Sequence, residues 1–508
     1  MRGWWVGFAA LCLFAIAPTA SAHVGSPDVF FDGQAGPYSA RVVVRMPPVV
    51  PGRAQIEVKL TSADAAEVSF RPLYARTSVK NAPPPEAGLS IPGEPGLYRG
   101  ELWLMSFGAY GIEIHVNGQK GEGTVQVPVN SAATHQLPLP GYLGIPLAAL
   151  GVLLIGGGLG VVGAAAGQSA LAPGEPMDAR HRRKSVKAIG IAAVVFCSAL
   201  VGGRFWWMGE EGKFRERLRE GPWPDLTVSS RSAGDARVLD LTIGETAFAR
   251  NYGLPLALDH GKELHLFLVR EPERDVFAHL HPHRRAGKNF EVTLPPLPAG
   301  RYRAFCDLTL ADTGVSATAS TAFDLPAAAS GGAEGDKAPA TDPDDSWAAV
   351  APTANSPMVC VSENGDRITW KAHLPLRIKQ DAQLDFAVTD RDGHPIALQP
   401  YMGMLCHAAV LRSDDTVFAH LHPTGNFSMA AQAYFAAKIG RETAPEGSNA
   451  APAEMDHSKM GHAMSPTTEV STVTLPYEFP APGNYRIWAQ CNAGGRILTG
   501  VFDAKVEP

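Results

Sequence analysis

The apolar residues of the chain follow two patterns, short alternating runs and long continuous stretches. Alternating runs, such as QIEVKL at residues 55–60, recur over residues 23–135, 222–326 and 357–508, and Pro and Gly separate them. Alternation with a period of two predicts half-buried β-strands, because successive side chains of a strand point to opposite faces of a sheet. The pattern therefore predicts a mostly β protein with a sandwich-type domain in each of these three segments.

The first continuous apolar stretch lies at the N-terminus. Arg2 precedes an apolar run over residues 4–17, and the small residues Ala20, Ser21 and Ala22 follow it. This order is typical of a secretory signal peptide, here residues 1–22. The alternative is an uncleaved anchor helix, which the short run disfavours. Cleavage would make His23 the first residue of the mature chain.

Two later apolar stretches, residues 142–166 and 187–207, are long enough to cross a bilayer as helices. Residues 167–186 between them carry the basic cluster RHRRK at 180–184, and short basic loops stay in the cytoplasm. The sequence therefore predicts a protein embedded in the inner, cytoplasmic membrane, with its β-domains in the periplasm.

Charge, composition and cysteines bear on three further points: nucleic-acid binding, a linker and the chemistry of the thiols. A net charge of −6 provides no basic field for nucleic acid. Residues 327–356, rich in Ala, Gly, Pro and Asp, predict a flexible linker. Disulfides and metal ligation are both open to the cysteines of the predicted outer domains, and the sequence does not choose among disulfide pairings. These cysteines are Cys306, Cys360, Cys406 and Cys491.

The second and third β-domains look like repeats of one another. ELHLFLVREPERDVFAHLHP at residues 263–282 matches LCHAAVLRSDDTVFAHLHP at residues 405–423. Farther along, PAGRYR at residues 298–303 matches APGNYR at residues 481–486. Two shared motifs in the same order indicate an internal duplication.

Each repeat carries three histidines on a predicted β-hairpin. Pairing Leu411 with Thr416 across the charged turn puts His407 opposite His420, and His422 follows on the same face. The first repeat has the equivalent trio. Three adjacent imidazoles suit Cu, Zn or Ni, whereas the alternative is a polar strand end whose histidines face solvent. The two predicted sites are His265, His279 and His281 in the first repeat, and His407, His420 and His422 in the second, with Met402, Met404 and Cys406 as nearby soft ligands.

A second chemical signal lies in the segment 452–466 of the second repeat. Its thioethers and imidazoles alternate without any apolar periodicity, so they do not form a buried helix face. Thioethers select Cu(I), and imidazoles extend the range to Cu(II). The candidate ligands are Met455, His457, Met460, His462 and Met464.

These motifs resemble known proteins of copper handling. The string MDHSKMGHAM resembles Met/His-rich segments of bacterial periplasmic copper-resistance proteins. Residues 400–423, with PGNYRIWAQ downstream, resemble secreted β-sandwich proteins grouped as YtkA-like or cupredoxin-like. The resemblance covers both repeats well and the first domain loosely. It implies three immunoglobulin-like or cupredoxin-like sandwiches and the handling of Cu(I) or Cu(II), rather than catalysis.

The first domain resembles copper carriers of the CopC-like type at one point only. In those carriers an N-terminal His binds copper through its amine and imidazole, which implies His23 as a ligand and His115 as its partner. The Asp-x-His pair of the family is missing, because residues 117–120 read NGQK. The order of domains and helices is also similar to that of a copper-containing methane/ammonia monooxygenase subunit, an analogy of architecture alone.

No catalytic signature is present in the sequence, neither a Gly-x-Ser-x-Gly elbow nor a phosphate loop, His-Glu-x-x-His or Cys-x-x-Cys. The leading hypothesis is a non-enzymatic periplasmic copper-binding protein for copper homeostasis, resistance or delivery to other copper-handling envelope proteins. Zinc is the alternative metal. Two other hypotheses stay open: a metal-free structural or interaction module of the envelope, and an accessory subunit of a copper oxidase.

The first prediction concerns membrane topology. Reporter fusions after residue 175 should report the cytoplasm, and fusions after residue 330 should report the periplasm, because the basic cluster holds its loop inside. A cytoplasmic signal from the second fusion would contradict the arrangement.

The second prediction concerns the Met/His segment. A peptide of residues 452–466 should bind Cu(I) in preference to Zn(II), because three thioethers favour the softer ion. Competition titrations with the two ions measure this preference. Equal affinity for both ions would identify the segment as an ordinary polar loop.

Overall fold

The computed structural model describes residues 28–61, 65–169, 171–172, 174–220, 224–234, 236–244, 254–327, 340–350, 358–443 and 470–508. The signal peptide, His23 and the segment 452–466 lie outside them. The described residues form two compact units. One comprises the described parts of residues 1–132 and 221–508, and the other comprises those of residues 133–220. The chain is mostly β, as the alternation predicts.

The first domain places nine strands in two sheets, ordered β1-β2-β3-β7-β6 and β5-β4-β8-β9. Strand β3 shows the alternation that leads these residues to form strands: Ala54, Ile56 and Val58 are buried, while the residues between them are largely not. Residues of both sheets contribute to one hydrophobic core. The strands are β1 Val29–Ala35, β2 Tyr38–Arg45, β3 Gly52–Leu60, β4 Ala65–Tyr74, β5 Glu86–Ala87, β6 Leu89–Ser90, β7 Leu97–Leu104, β8 Gly108–Gly118 and β9 Gly121–Ser131, with a 3-10 helix at Val79–Asn81.

The first repeat also forms two sheets, ordered β10-β11-β15-β14 and β17-β16-β12-β13-β18. Its hydrophobic core draws residues from both sheets. The strands are β10 Leu226–Ala233, β11 Ala236–Ile243, β12 His265–Glu271, β13 Val276–Leu280, β14 His283–Ala286, β15 Asn289–Leu294, β16 Gly300–Thr309, β17 Ser316–Leu325 and β18 Ser346–Ala349.

The second repeat has sheets ordered β19-β20-β22-β26 and β21-β28-β27-β24-β25, with β23 also paired to β27. The hairpin β24–β25 occupies the place that β12–β13 has in the first repeat. The elements are β19 Val359–Val361, β20 Arg367–Trp370, β21 Leu376–Arg377, β22 Ala382–Thr389, β23 Leu398–Gln399, β24 Cys406–Arg412, β25 Phe418–Leu421, a helix Met429–Thr443, β26 Thr472–Tyr477, β27 Gly483–Ala493 and β28 Arg496–Glu507.

Two features of the β-rich unit differ from the sequence predictions. The segment 327–356 is not a linker throughout, because strand β18 pairs with β13 and sets Ser346 beside His279. The helix Met429–Thr443 was not predicted. It lies against the other domains, where Phe435 joins the core of the first repeat and Gln432 donates to the backbone oxygen of Gln126.

The other unit contains two helices, α1 (Gly141–Gln168) and α2 (Ala179–Glu220). Both are long and apolar enough to cross a membrane, and the apolar part of each helix is not buried within the protein. They pack closely at Gly163, where a Cβ would lie 2.6 Å from Ile189 Cδ1, and Ser185 Oγ donates to the Gly163 oxygen at 2.8 Å. The basic residues 180–184 lie in the first turns of α2, not in a loop as predicted.

The two repeats pack against each other through equivalent sheets. Phe277 of the first repeat stacks on Trp488 of the second, with ring centroids 5.0 Å apart. Reciprocally, Phe418 stacks on Phe305 at 4.2 Å. The charged hairpin turns meet at one end of this layer, where Arg274 forms an ion pair with Asp415. The contacts repeat under an approximate twofold relation, which is what packing a duplicated face against itself produces.

The third prediction tests this packing. Trp488→Ala should lower the free energy of unfolding by roughly 3–5 kcal/mol, because Trp488 is fully buried and its loss leaves a cavity. The thermal unfolding midpoint of the full chain in detergent measures the change. Trp103→Ala is the matched control, since Trp103 is 55% exposed. Similar shifts in both variants would contradict the packing.

Candidate metal centre

Both histidine trios lie in the layer between the repeats. Strand β12 pairs Phe267 with His279, and strand β24 pairs Ala409 with His420. The predicted register is wrong by two residues, because Leu411 pairs with Phe418 instead of Thr416. The centre of the turn lies one residue later than predicted, and the hydrogen bond from Arg412 N to the Val417 oxygen closes the turn. A shift of two keeps every side chain on its face, so the trios still form.

The first two histidines of each trio meet with the same geometry. His265 Nδ1 lies 3.2 Å from His279 Nε2, and His407 Nδ1 lies 3.2 Å from His420 Nε2. Two ligand nitrogens at the corners of a tetrahedral site with bonds of 2.0–2.1 Å are about 3.3 Å apart. The observed separations therefore suit two imidazoles that share one ion.

The opposite ring nitrogens face oxygen acceptors, which decides where the protons sit. His265 Nε2 lies 3.1 Å from the Asp259 backbone oxygen, and His407 Nε2 lies 2.9 Å from that of Tyr401. A carbonyl oxygen only accepts, so each of these nitrogens carries the proton. The Nδ1 lone pairs of His265 and His407 are then directed at the partner imidazoles, as ligands held by outer hydrogen bonds are.

The second histidine of each trio is held by a residue of the other repeat. His279 Nδ1 lies 3.1 Å from Gln490 Oε1, whose amide nitrogen donates to Ser346 Oγ. His420 Nδ1 lies 3.4 Å from Asp307 Oδ2. Gln490 and Asp307 stand at equivalent positions of β27 and β16, opposite His407 and His265. Each trio therefore takes its orientation from both repeats.

The third histidine of each trio has buried ring nitrogens without a hydrogen-bond partner. His281 Nδ1 contacts Asp345 Oδ1 at 3.0 Å, while its Nε2 has none. Neither ring nitrogen of His422 has one. The ligand atoms of each trio all lie within 4.8 Å of one another. A buried polar atom left unsatisfied costs about 1–3 kcal/mol, so these nitrogens fit a site that receives an ion.

Burial also sets the charge of the cluster. It lowers the pKa of five imidazoles well below 6.5, and the neighbouring histidines lower it further. Neutral imidazoles are the form that binds metals. Burial also raises the pKa of Asp307 to about 7. The five are His265, His279, His407, His420 and His422.

Sequence reasoning missed a seventh histidine, His260. Its ring centroid lies 4.8 Å from that of His422 and 5.3 Å from that of His407. It stands in a tight turn, where Asp259 and Lys262 exchange backbone hydrogen bonds. The signal that could have found it is the spacing DHGKELH, which puts a polar turn just before the first strand histidine.

Two of the predicted soft ligands, Cys406 and Met404, lie in apolar cores. Cys406 is adjacent to His407 and so points to the opposite face, where it pairs across the sheet with Cys491 inside the hydrophobic core. Met404 packs in the hydrophobic core of the first domain. Met402 is buried in a turn. The buried cysteines are free thiols, Cys306, Cys360, Cys406 and Cys491.

Two further expectations concern histidines, and the one that pairs His115 with His23 is not tested, because His23 lies outside the described residues. The trio histidines are not a solvent-facing strand end, since His279 is 0% exposed and stacks on Phe267 at 4.3 Å. His115, the expected partner of His23, lies on β8 with its Nε2 3.7 Å from Glu122 Oε2.

A family described as "Domain of unknown function (DUF8832)" matches residues 361–508. No curated protein matches the chain.

Three solved structures are similar to the chain at low identity. A chimeric titin Z1Z2-Z1Z2 tandem is 10% identical, with 56% of this chain and 100% of that chain covered and a TM-score of 0.12. The BSP domain of a biofilm associated protein is 8% identical, with coverage of 99% and 70% and a TM-score of 0.14. A membrane-anchored protein from Corynebacterium diphtheriae is 10% identical, with coverage of 95% and 99% and a TM-score of 0.14. At these TM-scores the likenesses carry no argument.

Proposed function

We propose that the chain is an exported, membrane-anchored copper-binding protein that holds two ions in the histidine cluster between its repeats. The observation that carries the proposal is the pair of 3.2 Å contacts between imidazole nitrogens, His265 with His279 and His407 with His420. In both pairs, the second ring nitrogen of each imidazole faces its own oxygen acceptor. Neutral histidines fixed with converging lone pairs are what a divalent or monovalent metal ion needs.

Copper is the metal that the ligand chemistry favours. Imidazole binds Cu, Zn and Ni, and copper forms the strongest complexes among the divalent ions of this series. The segment 452–466 adds thioethers, which select Cu(I). The geometry of the trio imidazoles suits zinc equally well. The experiment below therefore compares copper with zinc.

The burial of the cluster supports retention of copper rather than rapid transfer. His279 and His407 are 0% and 1% exposed, and their ring centroids lie 6.2 Å apart, one in each repeat. An incoming ligand would have to part the two sheets before it reached an ion. We therefore assign long-term holding, as in homeostasis or resistance, to the cluster, and the exchange of copper with other envelope proteins to the segment 452–466.

The proposal includes the placement of the chain. Helices α1 and α2 would anchor it in the inner membrane, with the three pairs of sheets, as immunoglobulin-like sandwiches, in the periplasm. The support is the length and apolarity of the two helices together with the basic residues 180–184 between their apolar parts.

The fourth prediction tests the metal content. The parent for it is a full-length variant whose segment 452–466 is silenced. Loaded with copper and dialysed, this parent should retain about two equivalents, and His279→Ala/His281→Ala should retain about one, because only the first trio is removed. Elemental analysis of the protein in detergent measures both. The silencing substitutions are Met455→Leu, Met460→Leu, Met464→Leu, His457→Gln and His462→Gln.

The matched control is His283→Ala/His373→Ala, which removes two exposed histidines and should leave the copper content unchanged. Thermal unfolding of the metal-free proteins shows whether a variant is folded. A parent without bound copper would favour the metal-free envelope module instead. Retention of zinc in place of copper from an equimolar mixture would assign the cluster to zinc.

A further inference from the structure

The two repeats carry the same tight turn in front of the first strand histidine. Asp259 and Lys262 exchange backbone hydrogen bonds of 2.9 Å, and Tyr401 and Met404 exchange bonds of 2.7 and 3.1 Å. The central residues of both turns have positive φ: 51° and 80° for His260 and Gly261, and 49° and 79° for Met402 and Gly403. These are turns of type I′, in which Asn, Asp or Gly is usual at the first central position. His260 and Met402 are therefore structural equivalents.

The turns are also equivalent in what they hold. The residue before each central pair accepts a hydrogen bond from the first histidine six positions later, Asp259 from His265 and Tyr401 from His407. The backbone oxygen of the turn thus helps to orient the trio. The residue after it, His260 or Met402, therefore has a fixed backbone position next to the histidines. A histidine stands there in the first repeat and a methionine in the second, in place of the Asn, Asp or Gly that this turn favours.

His260 shows where such a side chain goes. Its ring lies nearer to the second repeat, 4.8 Å from His422 and 5.3 Å from His407, than to its own His265 at 6.0 Å. The turn of the first repeat therefore reaches across to the trio of the second. The Phe277–Trp488 and Phe305–Phe418 stacks show an approximate twofold relation between the repeats. By this relation the equivalent side chain, Met402, should reach from the second repeat toward the trio of the first.

The contacts of the neighbouring Tyr401 indicate that Met402 lies on the first repeat's side. Tyr401, its neighbour, crosses to that repeat, since its hydroxyl donates to the Asp344 oxygen at 2.8 Å and its ring lies 6.3 Å from that of His279. Met402 itself is 9% exposed, yet it belongs to none of the hydrophobic clusters that the described residues form. Met404, two residues later, does.

We infer that the repeats exchange their turn residues as fourth ligands, so that Met402 completes the site of His265, His279 and His281, and His260 completes that of His407, His420 and His422. The inference rests on the proposed copper binding. It makes the two sites chemically unlike. The first has three imidazoles and a thioether, a set that favours Cu(I), whereas the second has four imidazoles, which suit Cu(II).

The fifth prediction tests this in the full-length parent with the silenced segment. Loaded with Cu(I) under anaerobic conditions, the parent should show a sulfur neighbour in its copper X-ray absorption spectrum. Met402→Leu should abolish that neighbour and weaken Cu(I) binding at one of two sites by about tenfold or more in competition with a chromophoric Cu(I) chelator, since even outer-shell changes cost 10–100-fold. His260→Gln should weaken the other site and leave the sulfur signal intact.

Met404→Leu is the matched control, because this neighbouring methionine packs in an apolar core and should change neither measurement. Thermal unfolding of the metal-free proteins reports folding, and Leu is close to Met in volume. A parent that binds two copper ions without a sulfur neighbour, or a sulfur signal that survives Met402→Leu, overturns the inference and leaves the proposed function standing. A parent that binds no copper overturns both.

Discussion

The packing of two equivalent sheet faces buries seven histidines in one layer. Contacts from both repeats and from the first domain hold this layer in place. Aromatic stacks hold its middle, Phe277 on Trp488 and Phe305 on Phe418, and the charged turns close one end. The histidines occupy the other end. Burial lowers the pKa of five of these imidazoles, which keeps the five neutral, and oxygen acceptors face several of the ring nitrogens.

The histidine layer depends on both repeats at once. Gln490 of the second repeat orients His279 of the first, and Asp307 of the first lies beside His420 of the second. A single repeat would expose these imidazoles and lose the groups that fix their tautomers. Duplication thus does more than double a site: it supplies the acceptors that each site needs from the equivalent strand of the other copy.

The first domain supports the same layer from outside. Asn426, just beyond the last trio histidine, accepts a hydrogen bond from the backbone of Phe30, and the Asp32 nitrogen donates to the Thr424 oxygen. The helix Met429–Thr443 extends this contact toward β9 through Gln432. The loop that follows His422 is therefore fixed by a domain that contributes no described ligand, which keeps the second trio in place.

Patterns in the sequence were enough to predict the three β-domains, the two apolar helices, the duplication and the membership of both trios. These follow from local geometry, because side chains alternate along a strand and a register error of two residues leaves His420 on the same face as His407. The packing of the domains placed the two trios face to face, brought His260 to them, and put Cys406 and Met404 in apolar cores instead. It also made residues 346–349 a strand. Such choices depend on which faces pack together, and that is set by contacts between residues far apart in the chain, on which local periodicity carries no information.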